Sequence, residues 1–127
     1  MDLYQEIILD HFKHPRNQGD IGAGVHVLSC SESNVGCGDE FSVKISLDKN
    51  GEKIEDIKWQ GQGCAISTAS MSLLSEYVIG KTIEEAKQVN QDTMLEMLGL
   101  EEITPAREKC MMLSVRAVHR ALESKGK

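Results

Sequence analysis

Phe41-Ser42-Val43-Lys44-Ile45-Ser46-Leu47, then Asp48-Lys49-Asn50-Gly51, then a return over residues 53–60, is the run that decides the fold. The strict alternation puts Phe41, Val43, Ile45 and Leu47 on one face of a half-buried strand. Asn50-Gly51 is a strong hairpin signal, because tight hairpin turns need positive φ at their central positions. On the return strand Ile57 and Trp59 share a face while Ile54 falls out of phase, which predicts a β-bulge near Asp56. Residues 25–31 alternate weakly and supply one more strand, completing a three-stranded antiparallel meander.

The sequence on either side of this sheet reads as helix. Leu3, Ile7, Ile8 and Phe12 recur at helical spacing, with Tyr4 and His11 flanking, and His14-Pro15 ends that helix because a residue before proline is pushed out of the α region. Residues 65–79 place Ile66, Ala69, Leu73 and Tyr77 on one stripe and stop at Gly80. Thr82-Ile83-Glu84-Glu85 has capping-box spacing and opens a short helix. A further helix covers 92–98 and ends at Gly99. Thr104 with Pro105 opens the last one, whose buried face is Leu113, Ala117, Val118, Ala121 and Leu122. The expected architecture is α+β, a three-stranded antiparallel sheet with helices packed on one side, in a single domain over residues 1–127.

Composition narrows the function classes. At 127 residues the chain is one domain's worth, with ordinary hydrophobic (40%) and charged (27%) content. A formal net charge of -6, without a basic stripe or interleaved aromatics, argues against nucleic acid as a partner. No apolar run reaches membrane-spanning length, and the acidic opening residues lack the features of a secretory signal or transit peptide. A cytoplasmic location is expected, where thiols stay reduced and cysteines serve metals or catalysis rather than disulfides.

Three of the four cysteines stand in a shared kind of setting. Cys37 lies between Gly36 and Gly38, with Asp39 two residues on. Cys64 follows Gly61-Gln62-Gly63 and directly precedes a helix, where unpaired amides favour the thiolate. Cys110 sits in the second turn of the last helix, near Arg107 and Lys109 in sequence. Thiolate is the form that binds soft metals or carries sulfur. Three sulfurs and a carboxylate from Cys37, Asp39, Cys64 and Cys110 would suit one zinc ion or a [2Fe–2S] cluster. The carboxylate is a hard donor among soft ones, which suits a site that must release its cargo. No pair has the C-x₂₋₄-C spacing of a structural zinc site. Cys30, on a strand, reads as packing. His11, His14, His26 and His119 are scattered and read as surface or packing residues, Lys109 as a solvated lysine, and Met71, Met94, Met97, Met111 and Met112 as core.

Taken in order, these motifs resemble the IscU/NifU/SufU family of iron–sulfur cluster assembly scaffolds. Leu3-Tyr4, Ile8-Leu9-Asp10-His11 and Pro15-Arg16-Asn17 are similar to its N-terminal helix and turn, Cys37-Gly38-Asp39 to its first motif, Gly61-Gln62-Gly63-Cys64-Ala65-Ile66-Ser67 with Ala69-Ser70 to its second, and Pro105-Ala106-Arg107 with Lys109-Cys110 to its third. The resemblance implies an IscU-like scaffold domain that catalyses no reaction of its own. It would accept sulfur from a cysteine desulfurase as a persulfide on Cys110, or alternatively Cys64. It would then bind iron, build a transient [2Fe–2S] cluster on Cys37, Asp39, Cys64 and Cys110, and pass it to client proteins.

Lys109 stands where IscU proteins carry a histidine, as in SufU-like members, and this implies an alternative: a zinc-dependent sulfurtransferase that stimulates a desulfurase. The run from 80 to 109 is too short for the insertion that SufU-like members commonly carry there, and Val35 replaces the family's usual proline. Ile103-Thr104-Pro105-Ala106-Arg107 occupies the region of the leucine–proline–proline–valine–lysine motif that recruits a dedicated Hsp70 chaperone, so recruitment through that motif is not implied.

Overall fold

The computed structural model describes residues 6–22, 24, 26–34 and 38–124. Helix α1 (Glu6–Lys13) precedes three strands, β1 (Val27–Asn34), β2 (Asp39–Leu47) and β3 (Ile54–Gln62). Four helices follow: α2 (Ala65–Val78), α3 (Ile83–Lys87), α4 (Gln91–Leu98) and α5 (Pro105–Glu123). The sheet order is β1-β2-β3, antiparallel throughout.

The alternation of β2 does what period two dictates. Phe41, Val43, Ile45 and Leu47 are buried, and the pattern extends backward so that Asp39, two residues before Phe41, lies on the same inner face. Gly51 turns the hairpin at φ 71 and donates to Asp48 O at 2.9 Å. Ser46 pairs with Asp56 and Leu47 with Ile54, so Glu55 is the extra residue of the expected bulge, and the shift brings Ile54, Ile57 and Trp59 all into the core. Strand β1 runs three residues beyond its expected end at 31: its register on β2 extends to Asn34 opposite Asp39. Alternation could not mark that end, because inward Glu32 is polar and is met by Arg120 Nη1 at 3.2 Å and Arg116 Nε at 3.8 Å, both on α5.

Helix α5 covers β1 and β2, and α2 lies between α5 and α1 while also contacting β3. That central place explains the main departures from the expected helix faces. Rather than one apolar stripe, α2 is buried nearly all round, including Ser67, Ser70, Ser72 and Ser75, while Tyr77 of the expected stripe is exposed. Helix α1 docks through Ile8 and His11, leaving Ile7 and Phe12 in the open at 38% and 42% exposure. Leu3, Tyr4 and Val25 lie outside the described residues. The Thr82–Glu85 capping box is present, and Asn90 and Thr93 form another. Thr104 precedes Pro105 as expected but makes no side-chain cap bond.

The turn after α1 is held by polar groups from two elements. Ser72 Oγ accepts from Arg16 N at 2.9 Å and lies 2.7 Å from His11 Nδ1. Asn17 Nδ2 donates to Ser75 Oγ, and Trp59 Nε1 donates to Arg16 O at 2.8 Å. Asn17 itself sits at φ 60, a left-handed conformation that asparagine tolerates better than most side chains.

Candidate metal centre

Three elements far apart in sequence meet at one end of the inner face. Strand β2 contributes Asp39 at its first position, the start of α2 contributes Cys64 as its N-cap, and the second turn of α5 contributes Cys110. The donor atoms of Asp39, Cys64 and Cys110 all lie within 4.8 Å of one another. Ligands on a common tetrahedral zinc stand about 3.5–3.8 Å apart, so small side-chain movements would close the set on an ion. Cys37, two residues before Asp39, lies outside the described residues, as do Val35 and Gly36.

Asp39 is only 2% exposed. Its Oδ1 accepts from Cys64 N at 3.0 Å, which ties the carboxylate to the start of α2. Its Oδ2 is buried with no hydrogen-bond partner among the described residues. A buried carboxylate oxygen without a donor is costly, and a cation removes that cost. The donor set and this free oxygen fit a thiophilic divalent metal.

Cys64 caps α2 with sulfur in place of the usual oxygen. Ser67 N donates to Sγ at 3.5 Å, and Ser67 Oγ donates back to Cys64 O at 3.1 Å. Burial is the largest influence on this thiol and pushes its pKa up. The Ser67 amide and hydroxyl and the Cys110 thiol together outweigh that push and the opposing Asp39 charge, so the net shift is downward. Ser67 is a site residue that reasoning on the thiols alone passed over, although its place three residues after Cys64 is the spacing of a cap and its N3 partner.

Two glycines make the approach possible. At Gly63 a Cβ would strike Ser67 Oγ and lie 2.9 Å from Asp39 Oδ1, so any larger residue would have to displace the serine hydroxyl and the carboxylate. Gly61 lies opposite Phe41 at φ +138, where a Cβ would collide with Glu40 O.

Cys110 is 1% exposed, and its Sγ donates to Ala106 O at 3.6 Å. Lys109 beside it is exposed. Cys30 lies on β1, partly buried against the core, and burial raises its thiol pKa, whereas at Cys64 the hydrogen bonds turn the net shift downward. His11 is buried in the α1–α2 contact, His119 bonds Ala86 O, and His14 and His26 are exposed.

A small antiparallel sheet backed by helices, with two thiols and a carboxylate converging at its end, defines a class: an α+β domain with a thiol–carboxylate group that could hold a metal ion. The chain belongs to the NifU-like N terminal domain family, whose model matches residues 3–125. It is 32% identical over 136 aligned positions to the zinc-dependent sulfurtransferase SufU of Bacillus subtilis (strain 168), covering 94% of this chain and 89% of that protein. It is 35% identical over 127 positions to the iron-sulfur cluster assembly scaffold protein IscU of Haemophilus influenzae, covering 94% and 92%. Among solved structures it superposes with TM-score 0.76 and 30% identity on a protein of Fervidobacterium islandicum AW-1 described as a candidate iron-sulfur cluster assembly scaffold protein for the SUF system, covering 94% and 96%.

Proposed function

We propose that this protein is a scaffold for iron–sulfur cluster assembly, with Cys37, Asp39, Cys64 and Cys110 holding a transient [2Fe–2S] cargo. The observation that carries the reading is the convergence of donor atoms of Asp39, Cys64 and Cys110 within 4.8 Å, with Asp39 Oδ2 lacking a hydrogen-bond partner among the described residues. Named relatives of both scaffold and sulfurtransferase type cover nearly the whole chain and support it. A cysteine desulfurase would supply sulfur: a thiolate here attacks the terminal sulfur of the desulfurase's persulfide, and the desulfurase thiolate leaves. Cys110 is the proposed acceptor and Cys64 the alternative. Cys64 is the more accessible and carries the lowered pKa, whereas Cys110 is buried, so acceptance at Cys110 would need its sulfur to be uncovered. Apo client proteins would receive the cargo, and the protein would catalyse no further reaction of its own.

A second reading is a zinc-dependent sulfur carrier. Lys109 before Cys110 and the Bacillus relative favour it. Against it, that alignment spans 136 positions, more than the 127 residues of this chain, so the relative carries residues this chain lacks. Metal analysis after anaerobic purification, then reconstitution with iron and sulfide, separates the two. A chromophore that transfers to an apo client is the expected result. Tightly held zinc together with strong desulfurase stimulation selects the carrier, and inert zinc with neither activity overturns both readings.

A further inference from the structure

Among the described residues, the buried side-chain atoms without a hydrogen-bond partner are Arg16 Nη1, Asn34 Nδ2, Asp39 Oδ2 and Ser70 Oγ. Two of these belong to residues that face each other. Asn34, the last residue of β1, is the direct cross-strand partner of Asp39. Directly opposed residues of an antiparallel pair project to the same face with Cβ atoms about 4.5–5.5 Å apart. A donor and an acceptor stand side by side, each buried, each free, and not bonded to one another.

The packing of α5 places Asn34 at the same end of the domain as Cys110. Arg120 acts on Cys30, and Glu32 meets both Arg116 and Arg120, so α5 runs backward along β1. Two strand residues advance about 6.7 Å, close to four or five residues of helix rise. From Glu32, held between Arg116 and Arg120, that step carries Asn34 toward the α5 turns that follow Cys110.

Charge explains why such a donor belongs there. Three thiolates and one carboxylate carry four negative charges, two more than a zinc ion or an oxidised [2Fe–2S] core neutralises. A buried centre with that excess is stabilised by hydrogen bonds to its ligands. Two are already made, from Ser67 N to Cys64 Sγ and from Cys64 N to Asp39 Oδ1.

We propose that Asn34 is a positioning residue of this centre, its side-chain amide donating to a metal-bound sulfur beside Asp39. This rests on the metal-centre reading above. In the protein without metal the amide is a buried donor with no hydrogen-bond partner among the described residues, a cost that filling the site relieves. Asn34 therefore lowers the stability of the empty protein and raises the affinity of the site.

Cobalt(II), which occupies zinc sites and gives thiolate-to-metal charge-transfer absorption, is the probe, with zinc competition for affinity. Asn34→Leu keeps the shape and removes the donor. The expected result is binding weakened about tenfold, a displaced charge-transfer band, and a metal-free variant that melts higher than the parent. Opposite signs for metal affinity and metal-free stability are something a merely structural amide would not produce. Asn34→Asp, nearly the same shape with an added charge, should weaken binding further and gives the affinity and band readouts should the leucine variant not fold. Parent-like affinity with an unmoved band in the variant overturns the proposal. So does a leucine variant that loses metal and metal-free stability together, because the amide would then be supporting the strand pair. If the parent gives no charge-transfer band with cobalt, the metal-centre reading itself fails.

Discussion

Gly63 shows how closely the site's geometry depends on single atoms. The missing Cβ leaves room for Ser67 Oγ on one side and the Asp39 carboxylate on the other, so the peptide that precedes Cys64 passes between the capping serine and the ligand oxygen. Gly63→Ala would force Asp39 Oδ1 off its 3.0 Å bond from Cys64 N and push the carboxylate away from the two sulfurs. Overpacking of this kind costs about 1–3 kcal/mol. We expect the variant to fold with a midpoint lowered by that amount in a urea titration. Zinc affinity, read by competition with a chromophoric chelator, should fall by at least tenfold. Unchanged zinc affinity would show that Asp39 is not held in place through this peptide.

At the scale of elements, the contact of α1 with α2 joins apolar Ile8 to polar His11, while Ile7 and Phe12 of the expected apolar stripe stay exposed. His11 is buried, with Nδ1 on Ser72 Oγ and Nε2 3.7 Å from Glu76. Burial is the main force pulling its pKa below 6.5, Arg16 adds to it, and Glu76 and Asp10 oppose. The sign of the pH effect follows. Where folded His11 binds a proton less readily than unfolded His11, the unfolded state carries more protons, so stability rises with pH. The contribution is complete above about pH 6.5, declines as pH falls below that value, and levels off under the folded pKa. Urea midpoints of the parent should drop between pH 7.5 and pH 5, and those of His11→Gln, which cannot titrate, should drop less. An equal drop in both proteins would exclude His11 as the source.

For the molecule as a whole, what the sequence made legible follows burial. Where one face is apolar and the other wet, the pattern is readable: β2, the Asn50-Gly51 turn, the bulge at Glu55 and the inner face of α5 all lie where alternation or helical spacing puts them. It fails where polar residues are buried because a distant partner satisfies them. Inward Glu32 near the end of β1, Ser72 and Ser75 of α2 and the His11 contact belong to this group, since each depends on residues more than forty positions away. Of the site, Asp39, Cys64 and Cys110 were legible from glycine context and helix position. The sharing of Ser67 between the Cys64 sulfur and backbone follows the local spacing of a cap and its N3 residue. The facing polar atoms of Asn34 and Asp39, unpartnered among the described residues, depend instead on tertiary placement that no local spacing encodes.

The same placement would make metal binding a property of the entire fold. Asp39 opens β2, Cys64 opens α2 and Cys110 lies near the start of α5, so one ion would join the sheet to both helices that cover it. The unfolded chain scatters these donors along more than seventy residues and has no comparable site. A ligand that binds the folded form alone stabilises it by RT ln(1 + [L]/Kd), about 4 kcal/mol at a thousandfold excess over Kd. For a domain of this size that corresponds to a rise in Tm on the order of 10 °C. Zinc added to the metal-free protein under reducing conditions should produce such a rise. Cys64→Ser and Cys110→Ser should each lose most of it, whereas Cys30→Ser, altering a thiol on β1 outside the site, should keep it. Amide exchange should slow most at the start of β2, at Cys64 to Thr68, and in the first two turns of α5, because those backbones are joined through the ion. A Tm that ignores zinc, or a shift that survives loss of Cys64, would mean that the three donors do not act on a common ion.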